Sequence, residues 1–99
     1  MIIKLITQQQ EDEIRSKIFK ALSEPLRIEI LRFLKQKELE ATCGEIGANV
    51  KLTKSAASYH FKNLREAGLT FTRKESREKY VSINYELFEK YLPHFLDTL

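Results

Sequence analysis

Two helical segments joined by a very short turn, between residues 42 and 69, constrain this chain more than any other feature of its sequence. Residues 43–50 place apolar side chains four positions apart, which is the spacing of one helix face. Residues 54–67 repeat that spacing behind Thr53, whose hydroxyl can cap the helix, and Gly68 follows as a left-handed helix stop. The segment is therefore predicted to fold as a helix–turn–helix.

Two further helices are predicted before this unit. Residues 9–22 carry apolar side chains at spacing four, as an amphipathic helix does. Ser23 can cap the next helix, and Pro25 suits its first turn, where the N–H that proline lacks would be unpaired anyway. That helix is predicted to end near Gln36. A charged loop then leads to Thr42, the predicted cap of the helix that follows.

A hairpin and a last helix are predicted after the helix–turn–helix. The pattern indicates strands over residues 69–73 and 79–83, with residues 74–78 as a charged hairpin tip. Asn84 can cap a final apolar helix, which Pro93 should break or kink. This order predicts a mainly α (α+β) fold, a winged helix–turn–helix with about five helices and a two-stranded β-hairpin wing.

The composition is that of one small folded domain. The 99 residues suit a single domain over residues 1–99, with 42% apolar and 31% charged side chains. A single cysteine, Cys43, leaves no internal disulfide and suits a reducing compartment. The apolar run in residues 1–8 is too short for a signal peptide or a membrane span. A cytoplasmic protein without a membrane partner is therefore expected.

Positive charge is concentrated in one segment of the chain. Residues 53–80 hold seven basic and three acidic side chains, a net charge of +4 within a total of +3, so the remainder sums to −1. Because DNA is a polyanion, this asymmetry favours contact of the segment with double-stranded DNA. A solvated charged surface would explain the charge count alone.

The helix over residues 54–67 divides into two faces at 100° per residue. Ala57, Phe61 and Leu64 fall on the core side, and His60 lies near them as a packed or phosphate-contacting histidine. The opposite side is small and hydroxyl-rich near its start, which allows close approach to a DNA groove. The predicted DNA contacts here are Thr53, Lys54, Ser55, Ser58, Tyr59, Lys62 and Asn63. The threonine and the lysines would bind phosphates, the serines and the tyrosine would meet base edges, and the asparagine either.

The predicted hairpin is basic and gives a second set of predicted DNA contacts. It carries Arg73, Lys74, Arg77 and Lys79, and cations at a hairpin tip suit the minor groove or its flanking phosphates. Arg77 is the preferred contact because it lies at the predicted turn and has a planar guanidinium. An exposed charged turn is the competing interpretation.

Three stretches of the chain resemble the ArsR family of bacterial winged-helix repressors. FKALSEPLRIEILRFLK at residues 19–35 is similar to the family signature ALSxPxRxxILxxL. AASYHFKNLREAGL at residues 56–69 is similar to its recognition helix SxHLxxLxxAGL, and RKESREKYVSI at residues 73–83 is the third stretch. The resemblance covers about residues 14–98. It implies a homodimeric regulator, usually a repressor, that binds a pseudo-palindromic operator.

A dimer interface is implied by the same resemblance, because the first and last helices pair in this family. The last predicted helix is also more apolar than the core of one small domain needs. The residues predicted to lie in the interface are Ile14, Ile18, Leu87, Phe88, Tyr91, Leu92, Phe95 and Leu96. A twofold dimer would set two reading helices about 34 Å apart, which is one turn of DNA.

The family's metal-binding residues are not matched in this chain. Metal-sensing relatives carry a CxC pair before Asp-Leu, where this chain has Thr42 and Gly44 on either side of Cys43. The family's other site joins an Asp-x-His pair to a later histidine motif. Here His94 and Asp97 have a suggestive spacing, but the upstream pair is missing. One thiol is a poor soft-metal site, so no metal or other cofactor is predicted, and His94 is interpreted as an interfacial or surface residue.

Three alternatives are weighed against a DNA-binding regulator of this kind. Cys43 suits a redox-responsive repressor, since a helix N-terminus favours a thiolate, although a small buried hydrophobe is the simpler interpretation. A protein-docking winged helix would suit an acidic or apolar reading face instead of this basic, hydroxyl-rich one. An enzyme is not indicated, because two histidines and one cysteine give no nucleophile–base pair that can be placed together.

Overall fold

Helices and the short strands of one antiparallel sheet follow one another along the chain. The computed structural model describes residues 6–99, so the first five positions of the predicted domain lie outside the described residues. The elements in chain order are α1 (Gln8–Leu22), α2 (Pro25–Lys37), β1 (Ala41–Thr42), α3 (Cys43–Val50), α4 (Lys54–Glu66), β2 (Thr70–Glu75), β3 (Glu78–Ile83), α5 (Tyr85–Tyr91) and a 3₁₀ helix (Leu96–Thr98). This order confirms the predicted winged helix–turn–helix. Within the described part of the chain, no helix is long and apolar enough to cross a membrane.

Side-chain caps determine where most of the helices begin. Thr7 and Thr42 open α1 and α3 with capping boxes, in which the threonine and the third helical residue bond each other's backbone N–H. Thr53 caps α4, and Asn84 caps α5. The predicted caps of α3, α4 and α5 are therefore confirmed.

The predicted cap at Ser23 is wrong. The Ser23 hydroxyl donates to the carbonyl oxygen of Lys20 at 2.6 Å, so this serine closes α1 instead of opening α2. α2 begins after Glu24, whose side chain makes no capping bond, and Pro25 occupies the first turn as predicted. The resulting tight turn brings the end of α1 close to the beginning of α2.

β2 and β3 form the predicted two-stranded hairpin wing, and the short strand β1, which was not predicted, adds a third strand to the same sheet. The strand order is β1–β3–β2, and both pairs are antiparallel. β1 pairs through Ala41 with Val81 and through Thr42 with Tyr80. Because β1 runs directly into α3, backbone hydrogen bonds tie the helix–turn–helix to the wing.

The hairpin turn is shorter than the predicted tip over residues 74–78. β2 continues to Glu75 and β3 begins at Glu78, which leaves only Ser76 and Arg77 in the turn. Ser76 has a φ of 55°, the left-handed backbone that the first turn position of a two-residue hairpin requires. Of the two cations in the predicted tip, Lys74 therefore lies in β2 and Arg77 in the turn.

α2 forms the centre of the hydrophobic core. Its residues Ile30, Leu31 and Leu34 are at most 2% exposed. Other elements contribute the buried side chains Ile18, Ala21, Ala41, Ile46, Ala57, Phe61, Leu64, Leu69, Val81, Ile83 and Phe88. Ile18 and Phe88 are only 1% and 2% exposed in a single chain, which corrects their predicted place in the dimer interface. Helical spacing identifies an inward face but does not say which chain covers it.

The C-terminal segment folds back onto α2 and α5. α5 ends two residues before Pro93, as the predicted break requires. Lys35 Nζ donates to the carbonyl oxygen of Leu96 at 2.8 Å, and the rings of Phe88 and Phe95 stack with their centres 6.1 Å apart. These contacts hold the 3₁₀ helix against the domain.

Candidate nucleic-acid interface

α4 has one buried and one exposed face, as its sequence predicts. Leu64 is fully buried, and Ala57 and Phe61 are each 8% exposed. The predicted contact residues exposed on the other side are Lys54, Ser55, Ser58, Tyr59 and Lys62. The structure therefore brings these side chains together on one surface of the helix–turn–helix.

Thr53 is engaged in capping α4. Its hydroxyl oxygen accepts a hydrogen bond from the N–H of Ala56 at 3.2 Å. A hydroxyl can accept one hydrogen bond and still donate its own proton. The cap is therefore compatible with the predicted phosphate contact, in which Thr53 would be the donor.

Asn63 is half-buried on the flank of α4. Its Nδ2 atom donates to the carbonyl oxygen of Tyr59 at 2.9 Å, which holds the amide along the helix. Asn63 also lines a shallow groove between α1 and α4, together with Lys17 and Lys20. These two lysines were not predicted to lie near the DNA-reading face, because nothing in the sequence indicates that α1 runs beside α4.

Lys74 and Lys79 face each other across the wing. They are cross-strand partners, and two like charges directly opposite destabilise a hairpin. Alternation along the strands puts both lysines on the same face as the buried Thr70, Val81 and Ile83. The two positive charges therefore lie close together on the face of the sheet that is turned towards the helices.

Arg77 is the second residue of the hairpin turn and is exposed. Within the described residues, no carboxylate forms an ion pair with Arg77, Lys74 or Lys79. Their charges therefore remain available to an external anion.

Arg73, by contrast, forms ion pairs with two carboxylates of the same chain. Its guanidinium donates to the two carboxylate oxygens of Glu40 at 3.0 and 2.5 Å and to Glu75 at 2.6 Å. It also lies 4.4 Å over the ring of Tyr80. The hydrogen bond to Arg73 lowers the pKa of Glu40, and the bonds to both carboxylates raise the pKa of Arg73. Arg73 thus ties the wing to the segment before β1. Its contact with DNA stays a prediction, in which a phosphate would have to share the guanidinium with these two carboxylates.

His60 takes the packed position, one of the two predicted for it. It is 7% exposed, and its Nδ1 atom accepts a hydrogen bond from Nε of Arg27 at 3.0 Å. Arg27 lies in the first turns of α2 and is 3% exposed. The sequence gives no signal for this contact, because an arginine at a core position cannot be paired with a residue 33 positions away by spacing.

Cys43 opens α3 and is half-buried. Burial raises the pKa of its thiol, although the nearby positive charge of Lys79 acts in the opposite direction. A raised pKa keeps the thiol protonated at neutral pH and less nucleophilic. This direction opposes a thiolate at Cys43 and supports the simpler interpretation of the residue as a small, partly buried apolar side chain.

His94 is placed at the surface, which was one of its two predicted settings. Its Nδ1 atom lies 3.4 Å from a carboxylate oxygen of Asp97, and the two side chains are 86% and 77% exposed. Across residues 6–99, no group of three or more His, Cys, Asp or Glu side chains is arranged to hold a metal ion.

Relatives of this chain are transcriptional regulators. Residues 22–70 match the model of a family described as a helix-turn-helix domain. The uncharacterized HTH-type transcriptional regulator YceK of Bacillus subtilis is 54% identical over 92 residues, which are 93% of this chain and 92% of YceK. The transcriptional activator HlyU of Vibrio cholerae is 34% identical over 67 residues, which are 68% of this chain and 60% of HlyU.

The fold is shared with solved structures of DNA-binding domains. One is the homodimeric winged helix-turn-helix DNA-binding domain of Mb0332 from Mycobacterium bovis, described as a possible ArsR-family regulator. It has a TM-score of 0.75 and 23% identity, and the match covers 91% of this chain and 82% of that chain. The α3–α4 unit and its wing thus define a winged helix–turn–helix protein. The chain belongs to the ArsR family of transcriptional regulators, as the resemblance in its sequence predicts.

Proposed function

We propose that this chain is a homodimeric repressor that binds a pseudo-palindromic DNA operator through α4 and the wing. The observation that carries the proposal is the exposed face of α4, where Ser55, Ser58 and Tyr59 lie between Lys54 and Lys62. Small side chains near the helix start let the backbone approach the major groove, and the flanking lysines can bind the phosphates at its edges.

The exposed groups divide between two tasks. Lys54, Lys62 and the hydroxyl of Thr53 bind phosphates and fix the position of α4. The serines and Tyr59 read base edges, and Asn63 contacts the backbone or a base at the flank of the helix. The wing adds Lys74, Arg77 and Lys79, which bind the minor groove or its flanking phosphates.

Half-buried apolar residues near the C-terminus support a twofold dimer. α1 meets α5 where the guanidinium of Arg15 lies 5.6 Å from the ring centre of Tyr91. With the two core residues removed, the proposed interface residues are Ile14, Leu87, Tyr91, Leu92, Phe95 and Leu96, all partly exposed in one chain. The related domain of Mb0332 is described as homodimeric. A mate covering these residues would bury apolar surface that one chain leaves in water.

Repression is proposed from the family resemblance, and the effect on transcription needs its own measurement because HlyU is described as an activator. The operator, identified by selection from a random DNA pool, is placed in the promoter of a reporter gene. Transcription of the reporter is then measured with and without the protein. Lower transcription with the protein supports repression, whereas higher transcription would make the protein an activator.

Duplex binding is expected to depend strongly on salt. Selection from a random DNA pool yields the operator, and fluorescence anisotropy then measures its affinity between 50 and 200 mM salt. If the dimer neutralises about 6–10 phosphates, log Kd changes by roughly 0.9 per phosphate against log salt, and affinity falls about 10³–10⁵-fold. A protein that binds no duplex even at low salt would refute the proposed function.

Substitutions in α4 and in the wing are expected to act differently on binding. Tyr59→Ala should lower the preference for the operator over random DNA by roughly 5–150-fold, because it removes a group that reads base edges. Arg77→Ala should weaken binding to both DNAs alike and reduce the salt slope by about 0.9 per protomer. Tyr85→Ala is the control, since Tyr85 is an exposed tyrosine on α5 and not one of the proposed DNA contacts. Equal losses on both DNAs for both variants would reject this division of tasks.

A further inference from the structure

We propose that Arg27 is a positioning residue: through its contacts with His60 and Tyr59 it fixes the orientation of Tyr59 on the exposed face of α4. We further propose that protonation of His60 in mild acid breaks the contact with Arg27 and frees Tyr59. The inference rests on the proposed function, in which Tyr59 contacts base edges of the DNA. Three contacts on the inner side of α4 carry it, and none of them involves the residues proposed to bind phosphate.

Arg27 joins three helices at one buried point. Its Nε atom donates to His60 of α4 at 3.0 Å, and one terminal nitrogen donates to the carbonyl oxygen of Ala21 at 3.2 Å. A longer contact of 3.5 Å reaches the carbonyl oxygen of Lys20. These carbonyls end α1, where the helix dipole favours a positive charge. The guanidinium therefore links the end of α1 and the beginning of α2 to the middle of α4.

Tyr59 lies directly over this buried group. Its ring centre is 5.4 Å from the guanidinium carbon of Arg27 and 5.5 Å from the ring centre of His60, which it meets edge to face. Yet Tyr59 is 59% exposed, whereas Arg27 and His60 are 3% and 7% exposed. The inner side of the phenol is thus held by two buried side chains, while the rest of it faces the proposed DNA. Holding a side chain in its bound rotamer before binding reduces the entropy lost on association.

Protonation of His60 is incompatible with this arrangement. Nδ1 accepts the bond from Arg27, so the imidazole is neutral with its proton on Nε2. A second proton on Nδ1 would remove the acceptor and place two positive charges in contact. Of the charged groups around the ring, Arg27 disfavours the imidazolium, and Glu24, which precedes α2, favours it. The nearby end of α1 contributes backbone carbonyls to Arg27.

The direction of the pH effect follows from the lowered pKa of His60. Burial is the main cause, and the charge of Arg27 adds to it. The unfolded chain therefore binds this proton at about the ordinary value of 6.5, and the folded chain binds it only at lower pH. The stabilisation is fully present above pH 6.5 and is lost as the pH falls towards the lowered pKa of the folded state. Operator affinity is expected to fall over the same range.

Operator binding between pH 7.5 and 5.0 tests the proposal in the native chain, in His60→Asn and in Arg27→Met. The native chain is expected to lose about tenfold in operator affinity across this range, the size of one charge-assisted hydrogen bond. The amide oxygen of His60→Asn can accept the bond from Arg27 but does not titrate. This variant should match the native affinity at pH 7.5 and stay flat in acid. Arg27→Met should lose about tenfold on the operator already at pH 7.5 and little on random DNA. His94→Asn, which changes the exposed histidine, should keep the native acid response.

NMR of the protein without DNA separates a failure of this proposal from a failure of DNA binding. The Tyr59 ring signals are expected to shift with the titration of His60, and Arg27→Met should move the pKa of His60 upwards. If the native chain binds no duplex but these shifts occur, the proposed function fails while the hold on Tyr59 stands. The proposal would be overturned if operator affinity still falls in acid in His60→Asn, or if the Tyr59 signals do not shift as His60 titrates. Should Arg27→Met fail to fold, the His60→Asn comparison decides alone.

Discussion

Replacing Leu92 with glutamate is expected to convert the dimer into monomers and to weaken operator binding by roughly 10²–10⁴-fold. Leu92 is half-buried just after α5, in the middle of the proposed interface. A carboxylate there would lose its hydration against an apolar surface without gaining an oppositely charged partner. Two half-sites bound by one dimer benefit from a high effective concentration, and separate protomers lose that benefit.

Sedimentation equilibrium over a range of protein concentrations measures the change in assembly, and anisotropy with the operator measures the change in binding. Lys90→Glu is the matched control, because it adds a carboxylate to the exposed side of α5 nearby. This control should remain dimeric. A native circular dichroism spectrum confirms that each variant is folded. If Leu92→Glu is folded and sediments as the native chain does, the proposed interface is in the wrong place.

Helix boundaries could be predicted from the sequence because capping acts over a few residues. Thr42, Thr53 and Asn84 each accept a hydrogen bond from the N–H three positions later. The residues that decide each boundary are therefore neighbours in the sequence. Ser23 shows where this fails, because a serine between two helices can bond forwards or backwards. Its bond to Lys20 depends on how the two helices meet.

Contacts between distant side chains could not be predicted in the same way. Arg73 bonds Glu40, and Arg27 bonds His60, each across 33 positions of sequence. The sequence shows the charge of an arginine but not the group that neutralises it. The charge of Arg73 therefore predicts a DNA contact but not its ion pairs with Glu40 and Glu75, and the sequence does not indicate the contact between Arg27 and His60.

The register of the wing depends on its turn, which has two residues, whereas the sequence pattern predicts a tip of five residues, 74–78. A tip over residues 74–78 would set Arg73 opposite Lys79, whereas the two-residue turn pairs Lys74 with Lys79 and Arg73 with Tyr80. Shifting the pairing by one residue moves each side chain to the other face of the sheet. Only the observed register puts the two lysines together on the face turned towards the helices.

For the apolar outer helices, the sequence does not predict which side chains are buried within one chain and which remain for a partner. Periodicity correctly marks Ile18 and Phe88 as inward-facing, but both are already covered by the core of one chain. Leu92 has the same apolar character and remains half-buried. Which apolar side chains are left for a partner depends on how α1, α2 and α5 fill the space between them, and spacing does not contain that information.

Truncating Leu64 to alanine is expected to destabilise the fold by about 2–5 kcal/mol, more than any substitution on the exposed face of α4. Leu64 is fully buried on the inner side of that helix and belongs to the main core. Removing its branched end leaves a cavity that close-packed neighbours fill only in part. Urea unfolding followed by circular dichroism, at one fixed protein concentration, measures the loss. The melting temperature should fall by roughly 10 °C or more.

Lys62, two positions earlier on the same helix and exposed, supplies the matched comparison. Lys62→Ala should change the free energy of unfolding by less than about 0.5 kcal/mol. It should nevertheless weaken binding to operator and random DNA alike and reduce the salt slope by about 0.9 per protomer. Leu64→Ala, measured at low temperature and corrected for its folded fraction, should bind the operator as the native chain does. If Lys62→Ala unfolds the domain, or if Leu64→Ala is as stable as the native chain, the division of α4 into a core face and a DNA face is wrong.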